Sequence, residues 1–182
     1  MTHRNRSLIW WKAVLAAALL APFTTYTLAE EPFEEFLEAL RRREMFEVAL
    51  TYLDTMRDSP LLSDAQRESI SFEAGKTLVQ GANRIDDFEL RMEQLDQARD
   101  QFTQFITEHP SHPEIGSARM QLGNVLVARG RTQLERAKRP SNAEQQGPLE
   151  QEAKALFDEA ATVFSGAEKD FEEQIKSYPT II

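Results

Sequence analysis

The sequence predicts an all-α chain of antiparallel helical hairpins stacked side by side, and three observations carry that prediction. First, one packing grammar occurs three times: a small residue, large apolar residues at helical spacing around it, and a closing proline. It reads Phe46, Ala49, Leu53, Met56 and Pro60, then Leu95, Ala98, Phe102, Phe105 and Pro110, then Phe164, Ala167, Phe171 and Pro179. Second, the composition is rich in Glu, Gln, Ala, Leu and Arg, all good helix formers, while Gly and Pro are few and punctuate the periodic segments. Third, helix-start chemistry precedes several of the apolar stripes. A repeated hairpin is the pattern of a stacked array, in which each unit needs its neighbour to cover its apolar side.

The first helix is read from Phe33, Phe36, Leu37 and Leu40, three or four apart, with Pro32 in the tolerant first turn and Glu34 and Glu35 near the positive helix end. Arg41 to Glu44 interrupts the stripe before Phe46, Ala49, Leu53 and Met56 resume it. That interruption predicts a tight hairpin over 33–58, a single helix from Phe33 to Asp58 being the alternative. Ser63 and Gln66 have capping-box spacing and open a helix carrying Ile70, Ala74, Leu78 and Val79. Asp86, three before Glu89, is the expected cap of the next helix, and the two together form a longer second hairpin, 64–108. Ser111 and Glu114 give a further capping box with Pro113 inside the first turn. The helix after it carries Ile115, Ala118, Leu122, Val125 and Leu126 and ends near Lys138 and Arg139, cations suited to the negative end. Pro140 to Gly147 reads as a linker loop, and Pro148 as the opening of a last helix running to Tyr178, so the third hairpin spans 113–178.

Residues 1–29 have the order of a secretory signal peptide. Arg4, Arg6 and Lys12 precede the apolar run Ala13 to Phe23, and small residues lead to a cleavage point after Ala29. An uncleaved anchor is the competing reading, but the run is short for a bilayer core of about 30 Å. Both tryptophans, Trp10 and Trp11, lie in this leader, so a processed protein is expected to show no indole emission. From Glu30 onward eighteen basic and thirty acidic side chains leave a net charge of −12, which repels nucleic acid and anionic lipid. The chain has no cysteine, which excludes disulfides, thiolate metal sites and thiol nucleophiles.

At these residues the chain resembles tetratricopeptide-repeat (TPR) proteins, and the phrase FITEHPSHPEIGSARMQLGNVLVARG is similar to those of periplasmic repeat proteins that assemble or coordinate the outer envelope. The resemblance covers nearly all of the chain after Glu31. It implies a 30–182 domain of antiparallel hairpins wound as an α-α superhelix, with long second and third hairpins. It also implies that small residues of paired helices meet where backbones approach most closely. The positions that match are Gly75 and Gly123 on the first helices of their hairpins, and Ala49, Ala98 and Ala167 on the second helices; Leu37 departs from the pattern. A bundle of long hairpins without superhelical stacking is the rival architecture.

No stretch carries the grammar of catalysis. Gly75-Lys76-Thr77 ends like a phosphate loop, yet Ile70 stands where a glycine is required and no strand precedes it. His109 and His112 flank Pro110 without a third ligand and read as turn residues. Acidic pairs such as Glu34-Glu35 and Asp86-Asp87 sit in first turns, where dipole and capping roles suffice. One constellation has a functional reading: the resemblance implies a concave groove for partner peptides lined by the first helices. There Lys76 and Asn124 would stand side by side, bordered by Phe72 and Met120, offering a cation and an amide to a carboxylate or backbone.

The expectation is therefore a periplasmic or otherwise exported, non-enzymatic adaptor or scaffold that holds a protein or peptide, with no cofactor, no metal, no nucleic acid, and membrane contact only transiently through the signal peptide. The structural alternative is a segment of a larger array, or a chain that self-associates through an apolar C-terminal hairpin left open beyond Pro179.

Overall fold

The computed structural model describes residues 32–177; the leader and the last five residues, Pro179 among them, lie outside the described residues. Within that span run α1 (Phe33–Arg42), α2 (Phe46–Met56), α3 (Asp64–Ala82), α4 (Phe88–Glu108), α5 (Ile115–Ala137) and α6 (Gln146–Ser177). A 3-10 segment, Pro140–Gln145, leads directly into α6. Each helix packs chiefly on its neighbours in sequence, so order along the chain is order in space.

Local chemistry sets the helix ends. Ser63 and Gln66 form the reciprocal capping box that their spacing predicts. The α4 cap sits one residue later than expected: Asp87, not Asp86, accepts the Leu90 N–H. The box at Ser111 does not form. His112 Nδ1 instead accepts the Glu114 N–H at 3.1 Å, the His112 carbonyl accepts from Ile115, and α5 starts beyond that turn. The α1–α2 turn confirms the break at Arg43 and rules out one continuous helix. Met45 N–H donates to the Leu40 carbonyl and Glu44 N–H to the Arg41 carbonyl, the paired bonds of a Schellman cap, with Glu44 at φ 58 where glycine is usual. The linker expected over Pro140 to Gly147 is ordered as the 3-10 turn followed by the first turn of α6, where Pro148 lacks only an N–H that would have no partner.

Two clusters fill the first four helices. Phe33, Leu37, Leu40, Ala49, Leu53 and Ile70 bury one face of α3 against the first hairpin. Phe72, Leu78, Leu95, Ala98, Phe102 and Phe105 bury its other face against α4, and Ala118 and Val125 of α5 join them. Helix α3 is thus apolar on two sides, which is why its stripe looks diffuse in sequence.

The α5–α6 hairpin is built differently. Gly116, Gly123 and Gly130 recur every seven residues on α5, and a Cβ added to them would lie within 2.9, 2.5 and 2.7 Å of the rings of Phe171, Phe164 and Phe157 on α6. Seven steps forward on one helix are seven steps back on the other. This is the repeat of an antiparallel coiled coil, in which a glycine on one rod is the hole for a phenylalanine knob on the other. The same register sets Met120, Val127 and Leu134 level with the buried Ala167, Ala160 and Ala153. Gly75 likewise receives the Phe102 ring, 2.7 Å from its would-be Cβ.

These contacts correct the expectation of small residue against small residue. Ala49, Ala98 and Ala167 are all buried, as are Gly75 and Gly123, but each glycine pairs with an aromatic ring. Gly123 matches the Ala160–Phe164 step; the glycine matched to Ala167–Phe171 is Gly116. A close approach of two helices leaves room for a large side chain only where the opposing residue has none.

Candidate functional site

The predicted groove divides into residues the core has taken and residues it leaves outside. Phe72 is buried, its ring 5.4 Å from that of Phe105 and 5.9 Å from that of Phe102, so it supports the α3–α4 seam and is not an open groove wall. Lys76 is half-buried, with Nζ 3.0 Å from Glu73 Oε1 and 5.4 Å from the Phe72 ring centre. Met120 is 39% exposed, and Asn124 is exposed on the same helix one turn on. Helix α3, which bears Lys76, touches α5, which bears Met120 and Asn124, directly as well as through α4.

A buried polar cluster that sequence reading missed holds Lys76. Arg41, 4% exposed, points from α1 into the seam with α3. Its Nε and Nη2 donate to Thr77 Oγ1 at 3.0 and 2.9 Å, and Nη2 also donates to the Glu73 carbonyl at 2.6 Å. Nη1 lies 2.7 Å from both Glu38 Oε1 and Glu73 Oε2. Glu73 therefore bridges a buried arginine and the half-exposed Lys76, which fixes the ammonium on this face. The sequence sets Arg41 in the interruption between two stripes, but it lies four residues after Leu37, on the inward side of α1. That spacing was the available signal.

Opposite charges also tie α4 to α5: Arg129 to Asp96 at 2.8 Å, Arg136 to Glu89 at 2.9 Å and Arg91 to Glu135 at 3.2 Å. The Arg99 guanidinium is held above its ordinary pKa, first by its hydrogen bond to Asp100 and further by the charges of Asp96 and of Glu159 on α6.

Two open clefts accompany these faces. One of about 510 Å³ lies where the α4–α5 turn meets the end of α6 and is lined by His112, Ile115, Asp170, Glu173 and Gln174. Arg119 neutralises Asp170 there at 2.6 Å. The other, about 390 Å³, opens between α2, α3 and α4 beside Asp54, Arg57, Gln97 and Asp100. The imidazoles of His109 and His112 both lean on Phe105, at 5.5 and 5.0 Å, and close the end of the core. Among the described residues no group of three His, Asp or Glu side chains is placed to hold a metal ion, and no helix is long and apolar enough to cross a membrane. Comparison with protein-family models, with curated proteins and with solved structures finds no match to this chain.

Proposed function

We propose that the chain is an exported helical-repeat adaptor of TPR-like superhelical form that holds a protein or peptide in the cell envelope and performs no catalysis. The observation that carries this reading is the direct contact of α3 with α5 beside their shared neighbour α4, the contact pattern of a wound hairpin array. It leaves Lys76, Met120 and Asn124 on neighbouring helices, with the lysine fixed by Glu73. A cation, an amide and a thioether on a rigid surface suit an extended peptide with an acidic or carboxylate end and one apolar side chain. Export is the part of the proposal supported by the cationic, apolar and small-residue order of residues 1–29.

The test is capture in cells by crosslinking from the groove face, comparing wild type with Lys76→Ala combined with Asn124→Ala. Loss of a captured protein supports the adaptor reading. An identical crosslinked set from the double variant removes the groove.

A further inference from the structure

The self-association edge expected beyond Pro179 lies outside the described residues, and among those described the first hairpin carries an exposed apolar patch of its own. Glu150, Lys154, Asp158, Thr162, Glu168, Lys169 and Glu172 make the outward side of α6 polar, and Ile175 is its one strongly exposed large apolar residue among those described. The first hairpin differs. Phe36 is 45% exposed on α1, Met45, the residue capping α2, is 41% exposed, and Val48 on α2 is 46% exposed and followed one turn on by the half-buried Tyr52. The Phe36 and Tyr52 rings meet edge to face at 4.8 Å, so the patch crosses the seam between the two helices.

From this patch and the charge layout of α1 we infer that the first hairpin binds a second copy of this chain, through antiparallel contact of α1 with α1 of its partner about a two-fold axis at Ala39. The outward face of α1 reads Glu35, Phe36, Ala39, Arg42, Arg43, acidic at its start and basic at its end. Inward-facing Arg41 is consumed by the α3 cluster, whereas Glu35, Arg42 and Arg43 are solvent-exposed and enter no ion pair within the described residues. Running the face against itself in reverse sets Glu35 level with Arg43 of the other copy and Phe36 level with Arg42. Every contact then occurs twice, as an isologous interface demands. Ala39 lies at the crossing, where a methyl group lets the two backbones approach and lets the Phe36 rings cover apolar surface. The same face run parallel would set like charges together. A chain with an acidic body gains an attractive surface only where acids and bases are segregated in this way. The inference stands independently of the groove, which lies on α3 and α5.

The chain has no cysteine, so a single introduced thiol reports geometry cleanly. Ala39→Cys in the full chain, under a mild oxidant, is expected to give a covalent dimer, because a disulfide needs the two Cα atoms within about 7 Å. Thr162→Cys on the polar side of α6 is expected to remain monomeric. Both variants carry the same leader, so association driven by the leader would not distinguish them. Sedimentation equilibrium completes the test. Phe36→Glu is expected to weaken self-association at least tenfold with helix content unchanged. Glu35→Arg and Arg43→Glu are each expected to weaken it about tenfold, and the double swap to restore it. A wild-type chain that stays monomeric at all concentrations overturns the inference, as would happen if a different protein covers the patch. Failure of Ala39→Cys to crosslink, or a double swap no better than either single variant, overturns it as well.

Discussion

Arg41 shows how one side chain decides an interface. Its guanidinium is removed from water, and its donors are spent on Glu38 of its own helix and on Thr77 and Glu73 across the α1–α3 seam. Truncation would take the buried cation from the Glu73 carboxylate, leave the Thr77 hydroxyl only its bond to the Glu73 carbonyl, and open a cavity. Arg41→Ala is therefore expected to lower the unfolding free energy by about 3 kcal/mol, and Arg41→Met by less, because its chain keeps the volume filled. Chemical denaturation of the three proteins measures the difference. Glu44 is the reverse case, a residue held at φ 58 by the two bonds of the turn. Its ion pair with Arg84 is solvent-exposed and contributes little. Glu44→Gly is expected to stabilise the chain by about 0.5–1 kcal/mol, since glycine adopts this conformation without a Cβ clash. A loss of stability would show that the Arg84 pair outweighs the backbone strain. Neither feature was legible as chemistry in the sequence. A run of three arginines and a glutamate looks like a solvated break, and the four-residue step from Leu37 is the one mark in it that singles out the buried Arg41.

The helices themselves were legible, because their apolar spacing, the Ser63 box and the positions of Pro60 and Pro110 all agree. Boundaries slipped where polar residues compete, as when Asp87 displaced Asp86 as cap and His112 took the role expected of Ser111. Seven-residue glycine and phenylalanine rows stood openly in the chain, yet the pairing partner of each glycine depends on register, which only the packed hairpin fixes. The rows make glycine substitutions separable by environment. Gly75 faces the fully buried Phe102 ring, whereas a Cβ at Gly166 would meet only the Arg119 stem at 3.4 Å. Gly75→Ala is expected to cost about 1–3 kcal/mol, overpacking outweighing the gain in helix propensity. Gly166→Ala is expected to add about 0.5–1 kcal/mol. Gly123→Ala should fall between, since the half-buried Phe164 can swing outward. Thermal unfolding of the three variants orders them, and equal effects would mean that the rings do not hold the rods apart.

At the scale of the molecule, the net charge of −12 from Glu30 onward meets a fold whose ion pairs lie mainly at its surface. These two terms respond to salt in opposite directions. Screening weakens the α4–α5 pairs, but exposed pairs contribute only about 0–1 kcal/mol each. Screening also relieves repulsion among thirty acidic groups crowded onto rods that pack side by side, and that repulsion opposes folding over distances longer than a single contact. Raising salt from about 0.01 M to about 0.15 M shortens the screening length from about 30 Å to about 8 Å, which removes the long-range repulsion first and leaves much of each contact pair. The melting temperature is therefore expected to rise by a few degrees over that interval, measured by calorimetry at a protein concentration low enough to hold the oligomeric state fixed. A melting temperature that falls with salt would mean that the ladder of Arg91, Arg129 and Arg136 against Glu135, Asp96 and Glu89 contributes more than the surplus acids oppose. In that case the α4–α5 joint, not the apolar seams on either side of it, would set the stability of the stack.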